Sequence, residues 1–125
     1  MFTESDVIFK YTRQQAIEDG VLIDLSELAR EAGFKFPLAI TAGVMSVLNN
    51  LEVPGQDFEG RAWDMLTILK LEIRRAEGDT VYFAPLFASK AGNGRIVTRP
   101  VKMYAKCGPG DDLSPVITVM LEGED

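Results

Sequence analysis

Two hydrophobic periods run along this chain, and the change from one to the other falls at Gly78. Before it, apolar residues come in short groups at helical spacing. After it, they alternate with polar ones, as strands with one buried face require. Val7 to Tyr11 reads as a short extended lead-in. Thr12 to Gln15 is a capping box for a first helix, which Gly20 terminates. Val21-Leu22-Ile23 suits only a brief strand or a packed connector. Ser26 opens a second helix over Glu27 to Ala32, with Leu28 and Ala29 facing inward. Gly33 stops that helix, because glycine takes the left-handed conformation cheaply at the position after a helix end.

The next residues, Phe34-Lys35-Phe36-Pro37, put two aromatics on one side of an extended chain and a lysine on the other. They read as an aromatic corner holding the chain to the core, or as an aromatic-Lys-aromatic cleft. A third helix restarts at Thr41 or Ala42 and ends near Asn49-Asn50. The loop Leu51 to Gly60 follows, with Asp57 or Glu59 as caps for the clearest element, Arg61 to Ala76. There Ala62, Leu66, Leu69, Ile73 and Ala76 form one stripe, and Trp63, Met65, Ile68 and Leu71 widen it. The width predicts a central helix covered on more than one side.

Three strands are expected beyond Gly78: Thr80 to Ser89, Ile96 to Cys107 around Pro100, and Val116 to Leu121. Asn93-Gly94 and Cys107 to Asp112 supply the turns. The expected fold class is therefore α+β: one domain over residues 1–125, its helical N-terminal half (three to four helices, including the one near 61–76) packed on a C-terminal three-stranded antiparallel meander. A chain of this length buries roughly two-thirds of its unfolded surface, enough for one core.

Charge and composition narrow the chemistry. The net charge is −6, which argues against direct nucleic-acid binding, since phosphate affinity comes from clustered cations. The chain has no histidine, which removes imidazole bases, Ser-His and Cys-His pairs and most zinc sites. Cys107 is the single cysteine, as suits a reducing cytosol. The N-terminus carries Glu4 and Asp6 where a secretory signal has basic residues, and Phe36 to Leu48 is too short to span a bilayer. A cytoplasmic protein without membrane contact is expected, with no cofactor and no metal.

Several groups could still carry a function. Cys107-Gly-Pro-Gly-Asp-Asp112 resembles a site, but its acids repel phosphate and it lacks the ligand spacing of a calcium loop, so it reads as a hairpin connection. Cys107 reads as a packed or half-buried thiol. Asp64 and Glu72 lie two turns apart on the long helix and, with Asp24, Glu27 and Glu31, could pair carboxylates, although a solvated or salt-bridged helix face is the commoner arrangement and Glu72 pairs locally with Arg75. Trp63 beside Arg61 reads as packing or as an aromatic-cation ledge. Acids also gather in the tail (Glu122, Glu124, Asp125), at Asp111-Asp112, and at Glu52, Asp57 and Glu59. Collected on one side, they would steer toward basic partners.

Three blocks, YTRQQAIEDGVLIDLSELAREAGFKFPLAIT, GRAWDMLTILKLEIRRA and CGPGDDLSPVITVMLEGED, resemble an uncharacterised family of small acidic bacterial proteins encoded mainly on plasmids and other mobile elements. The matching positions are Tyr11, Thr12, Arg13, Asp19, Gly20, Asp24, Gly33, Phe34, Lys35, Pro37, Trp63 and Asp64. Residues 45–58 and 80–99 lie outside the resemblance. It implies a context, a bacterial cytosol and an accessory genetic element, and transfers no catalytic residue. Two functional expectations follow. The first is a non-enzymatic accessory protein that binds another protein, an acidic inhibitor or regulator of a host factor. The second is a small enzyme or ligand-binding protein whose cleft is lined by Tyr11, Arg13, Asp24, Lys35, Arg61 and Asp64. Convergence of Asp24, Lys35 and Asp64 in one pocket would favour the second. A homodimer formed through a sheet edge is a third reading.

Overall fold

The computed structural model describes residues 11–124, so the expected lead-in over residues 7–10 lies outside them. The first helix of the described residues, α1 (Arg13–Glu18), begins with the capping box the sequence spells: the Thr12 hydroxyl accepts from Gln15 N, and the Gln15 side chain accepts from Thr12 N. A short strand β1 (Leu22–Asp24), helix α2 (Ser26–Glu31), strand β2 (Leu38–Thr41) and helix α3 (Ala42–Leu48) follow. Helix α4 (Phe58–Arg75) is capped by Asp57, whose carboxylate accepts from Gly60 N. The remaining strands are β3 (Thr80–Phe83), β4 (Leu86–Lys90), β5 (Ile96–Pro100), β6 (Met103–Pro109) and β7 (Pro115–Leu121).

The architecture corrects the expected fold class. Helices and strands are interspersed along the chain, in a five-stranded sheet of order β1-β2-β7-β6-β3 and a separate two-stranded sheet β4-β5. There is no helical half stacked on a three-stranded meander. The N-terminal half enters the sheet because β2 pairs parallel with β7, Leu38 opposite Ile117 and Ile40 opposite Val119. Leu38, Ala39 and Ile40 are all buried. A strand covered on both faces shows no alternation, which is why its period does not announce it.

Proline accounts for the second departure. The expected strands 80–89 and 96–107 each break in two, at Ala84-Pro85 and at Val101-Lys102, directly after Pro100. Proline offers no N–H to a ladder. The β3–β6 pairing ends at Phe83 opposite Met103, and beyond it the chain forms a distinct ribbon from Leu86–Pro100 to Lys90–Ile96. One link, Val101 N to Pro85 O at 3.0 Å, holds the two breaks together.

Ala62, Met65, Leu66 and Leu69 of α4 meet Val44 and Leu48 of α3 and the sheet residues Leu38, Ile40, Met103, Ala105, Ile117 and Val119 in one core. The helix is covered on one side only, contrary to the expected wide stripe. Trp63, Ile68, Leu71 and Ile73 are exposed, whereas Arg61 is buried.

Candidate functional site

Where the layer of α4 over the sheet runs out, the core is left open. The buried run of α4 stops at Leu69, the backbone turns extended at Ala76, and β6 and β7 continue beneath. The result is a cleft of about 550 Å³. Its floor is Val81, Ala105, Cys107 and Ile117 from the sheet. One wall is Lys70, Ile73 and Arg74 of α4, and the other is the connection Gly33-Phe34-Lys35-Phe36 between α2 and β2.

That connection is held by a helix-ending motif. Gly33 N donates to Arg30 O at 3.0 Å and Phe34 N donates to Ala29 O at 2.9 Å, with Gly33 at φ +98°. This crossed pair closes the end of α2 and turns Phe34 back against the core. Lys70 completes it from the facing helix, donating from Nζ to the Ala32 carbonyl at 3.1 Å. The cleft thus has an apolar interior and three cations, Lys35, Lys70 and Arg74, against one carboxylate, Asp79. Such a set can take an apolar body and grip an anionic end.

The six residues expected to line one cleft do not share it. Lys35 lines the cleft just described. Tyr11, Arg13 and Asp24 lie at another corner, around the β6–β7 turn. There Tyr11 Oη donates to Asp19 Oδ2 at 2.8 Å, and that bond raises the Tyr11 pKa above its ordinary value of 10.0. Arg13 donates to Thr118 Oγ1 at 2.6 Å and Ile117 O at 2.8 Å. Its burial lowers its pKa, partly offset by the charges of Asp24 and Asp111. Asp24 accepts from Ser26 N at 2.9 Å and Ser26 Oγ at 2.5 Å, shaping the start of α2. Asp64 is exposed on the outer side of α4. Asp24, Lys35 and Asp64 do not converge.

Arg61 is 4 % exposed, and among the described residues no carboxylate accepts from it. It donates to Val47 O at 2.7 Å, Gln56 Oε1 at 3.1 Å and Ala88 O at 2.6 Å, and lies 4.9 Å above the ring of Phe87. Its aromatic neighbour is thus Phe87 and not Trp63. Three carbonyl oxygens from α3, the following loop and β4 converge on this one guanidinium, which joins the segments.

The six-residue turn that most resembles a site is structural too. Asp111 accepts from Arg13 N at 2.9 Å and Gln14 N at 3.0 Å, closing the first turn of α1 from across the chain. Asp112 accepts from Ser114 N at 3.0 Å within the turn. Glu124 of the acidic tail turns inward, accepting from Thr41 Oγ1 at 2.8 Å and Leu121 N at 2.7 Å. Sequence reasoning singled out Phe34, Lys35 and Phe36 but passed over Lys70, Arg74 and Asp79. The signal available for them was the basic end of α4 beside the glycine turn at Gly78. Cys107 is exposed on the cleft floor rather than packed or half-buried.

Among the described residues, no group of three His, Cys, Asp or Glu side chains could hold a metal ion, and no helix is long and apolar enough to cross a membrane. The chain belongs to the family of unknown function DUF6573, whose model matches residues 1–125. That match takes in the stretches 45–58 and 80–99, which the resemblance of the three sequence blocks left out. No curated protein and no solved structure matches the chain.

Proposed function

We propose that this DUF6573 protein is a binding protein of the bacterial cytosol, accessory to a mobile element, and that the cleft at the open end of its core holds a small amphipathic anion. The observation that carries the reading is the pairing of an apolar floor with three cations in a chain whose net charge is −6. Cations held beside low-dielectric walls attract an anion more strongly than the same cations in open solvent. Phe34, Phe36, Ile73 and Ile117 would cover the apolar body, and Lys35 and Arg74 would meet its carboxylate, sulfonate or phosphate. The bacterial and mobile-element context rests on the resemblance of the three sequence blocks, and the cytosolic setting on the single cysteine.

The probe is anilinonaphthalene sulfonate, an aromatic sulfonate that brightens in apolar sites. Wild-type protein is expected to bind it, with amide shifts in NMR spectra confined to residues 33–36, 70–81, 105–107 and 117. Arg74→Glu and Lys35→Glu should each weaken binding about tenfold, in line with loss and reversal of one charge-assisted contact. Absence of binding, or equal binding by both variants, would sink the reading.

A second reading keeps the first expectation from the sequence, an accessory protein that binds a host protein. It is favoured by Trp63, 43 % exposed at a shallow groove with Leu28, Glu31, Asp57 and Glu59. An exposed tryptophan among acids suits a basic segment of a partner. Capture of a host protein by the wild type, but not by Trp63→Ala, would support it. Capture by both would count against this surface.

A further inference from the structure

The chain's charge is divided, and the total conceals it. From Thr80 to Gly110 there are five cations, Lys90, Arg95, Arg99, Lys102 and Lys106, and not one Asp or Glu. The rest of the chain holds the other eight cations and all nineteen acids, a net charge of −11. The fold then concentrates the basic stretch. Four of the five cations belong to the β4–β5 ribbon or the residues directly following it, and Lys106 lies on β6 in the other sheet.

We propose that this ribbon is an arm that binds duplex DNA, with Lys90, Arg95, Arg99 and Lys102 gripping the phosphate backbone. The ribbon is attached on one side only. Phe87 is buried beneath Arg61, and Arg61 also donates to Ala88 O at 2.6 Å. Residues on the opposite side, Leu86, Lys90, Ile96, Thr98 and Pro100, are exposed, as are Arg95 at the turn and Arg99, which pairs with Phe87 and reaches solvent from the edge of the attached side. The turn is closed by Ala91 N donating to Arg95 O at 2.8 Å, which fixes Arg95 at the tip of the arm. Among the described residues, Glu52 is the carboxylate bonded to the ribbon, and it accepts from the backbone N–H of Lys90 at 3.0 Å. No ion pair among the described residues joins these four cations to a carboxylate.

Shape and charge together select the partner. A two-stranded ribbon fits the major groove of B-form DNA, whereas the major groove of an RNA duplex is too narrow. A membrane surface would need a continuous apolar patch. Here Leu86 and Ile96 lie at opposite ends of the ladder, with Ala88 and Thr98 between them. The acids elsewhere on the molecule repel DNA, so contact is confined to the arm and affinity falls in the non-specific range, roughly 10⁻⁴ to 10⁻⁶ M at physiological salt. The expectation of no direct nucleic-acid binding came from the total charge; the proposal comes from its distribution.

The test is fluorescence anisotropy with a labelled 20-base-pair DNA duplex, the full chain, and salt stepped from about 50 to 200 mM. The logarithm of affinity should fall against the logarithm of salt with a slope near −3 to −4, roughly one per phosphate neutralised. In Arg95→Gln/Arg99→Gln the slope should become shallower by about two, and affinity at the lowest salt should drop at least tenfold. Both side chains are exposed, and circular dichroism would verify that the variant folds. No binding at the lowest salt would overturn the proposal, as would a slope unchanged in the double variant. Binding to phosphatidylglycerol vesicles without binding to DNA would overturn it as well.

Discussion

Lys70 and Gly33 depend on each other. The Lys70 ammonium donates to the carbonyl of Ala32 at 3.1 Å and lies 2.3 Å from where a β-carbon on Gly33 would stand. The bare glycine therefore does two things at once: it takes φ +98° at the end of α2 and it admits the cation that caps that end. The same contact sets the width of the cleft, because it ties α4 to the α2–β2 connection.

Replacing Gly33 by alanine should destabilise the protein by about 1–2 kcal/mol, from the left-handed backbone and loss of the lysine cap. The clashing atom is the far end of a flexible side chain, so Lys70 swings away and overlap adds little. A double-mutant cycle with Lys70→Met, followed by urea denaturation, is the measurement. The double variant should cost less than the two single changes added together. Strict additivity would show that the two residues are independent.

Arg61 should be among the most sensitive positions in the chain. Arg61→Ala leaves the Ala88 carbonyl and the Gln56 side chain without this donor, and leaves the Val47 carbonyl with Asn50 N alone, in a region nearly closed to water. The expected loss is about 3 kcal/mol, lowering Tm by roughly 10 °C in a calorimetric scan. Arg61→Lys should recover less than half, because one ammonium cannot span three acceptors or lie flat on the Phe87 ring. A loss below about 1 kcal/mol for the alanine variant would contradict this role.

Asp111 should act on α1, ninety-odd residues away, and not on any ligand. Asp111→Ala should cost about 1–2 kcal/mol, since two N–H groups of the first turn lose their acceptor. Asp111→Asn, with one accepting oxygen, should fall between. Hydrogen exchange at the Arg13 and Gln14 amides should speed up in both variants. Unchanged exchange there would show that the contact is not maintained.

The Tyr11–Asp19 hydrogen bond predicts a pH dependence at the alkaline end. The neutral phenol donates to the carboxylate, and ionisation would set two anions side by side, so the folded pKa lies above the unfolded 10.0. The sign follows: the contribution is fully present below the unfolded pKa and is lost as pH rises through the folded one. In a Tyr82→Phe/Tyr104→Phe background, ultraviolet titration should find Tyr11 ionising above its ordinary value, and Asp19→Ala should bring it back down. Titration of Tyr11 at or below the ordinary value in the intact protein would refute the bond.

What the sequence determined by itself is local. Thr12 with Gln15, Asp57 with Gly60, Gly33 after α2 and Asn93-Gly94 at the ribbon turn act through bonds between near neighbours or through a single backbone angle, so they can be read from a few adjacent residues. The four helices of the described residues fall close to where periodicity and caps put them. The segregation of cations into 80–110 is also written in the chain, although a summed charge erases it.

Tertiary structure alone decided which residues meet. The parallel pairing of β2 with β7 joins residues about eighty positions apart, and no local pattern carries such information. The acids of the 107–112 turn and of the tail looked available for chemistry, yet Asp111 and Glu124 are engaged with α1 and with the start of α3. Arg61 sits at the start of an amphipathic helix, where a solvated cation is the ordinary outcome, but the loop and β4 close over it. The cleft exists only because α4 ends before the sheet does. The length of one element relative to another across the core is a property of their packing, not of either segment.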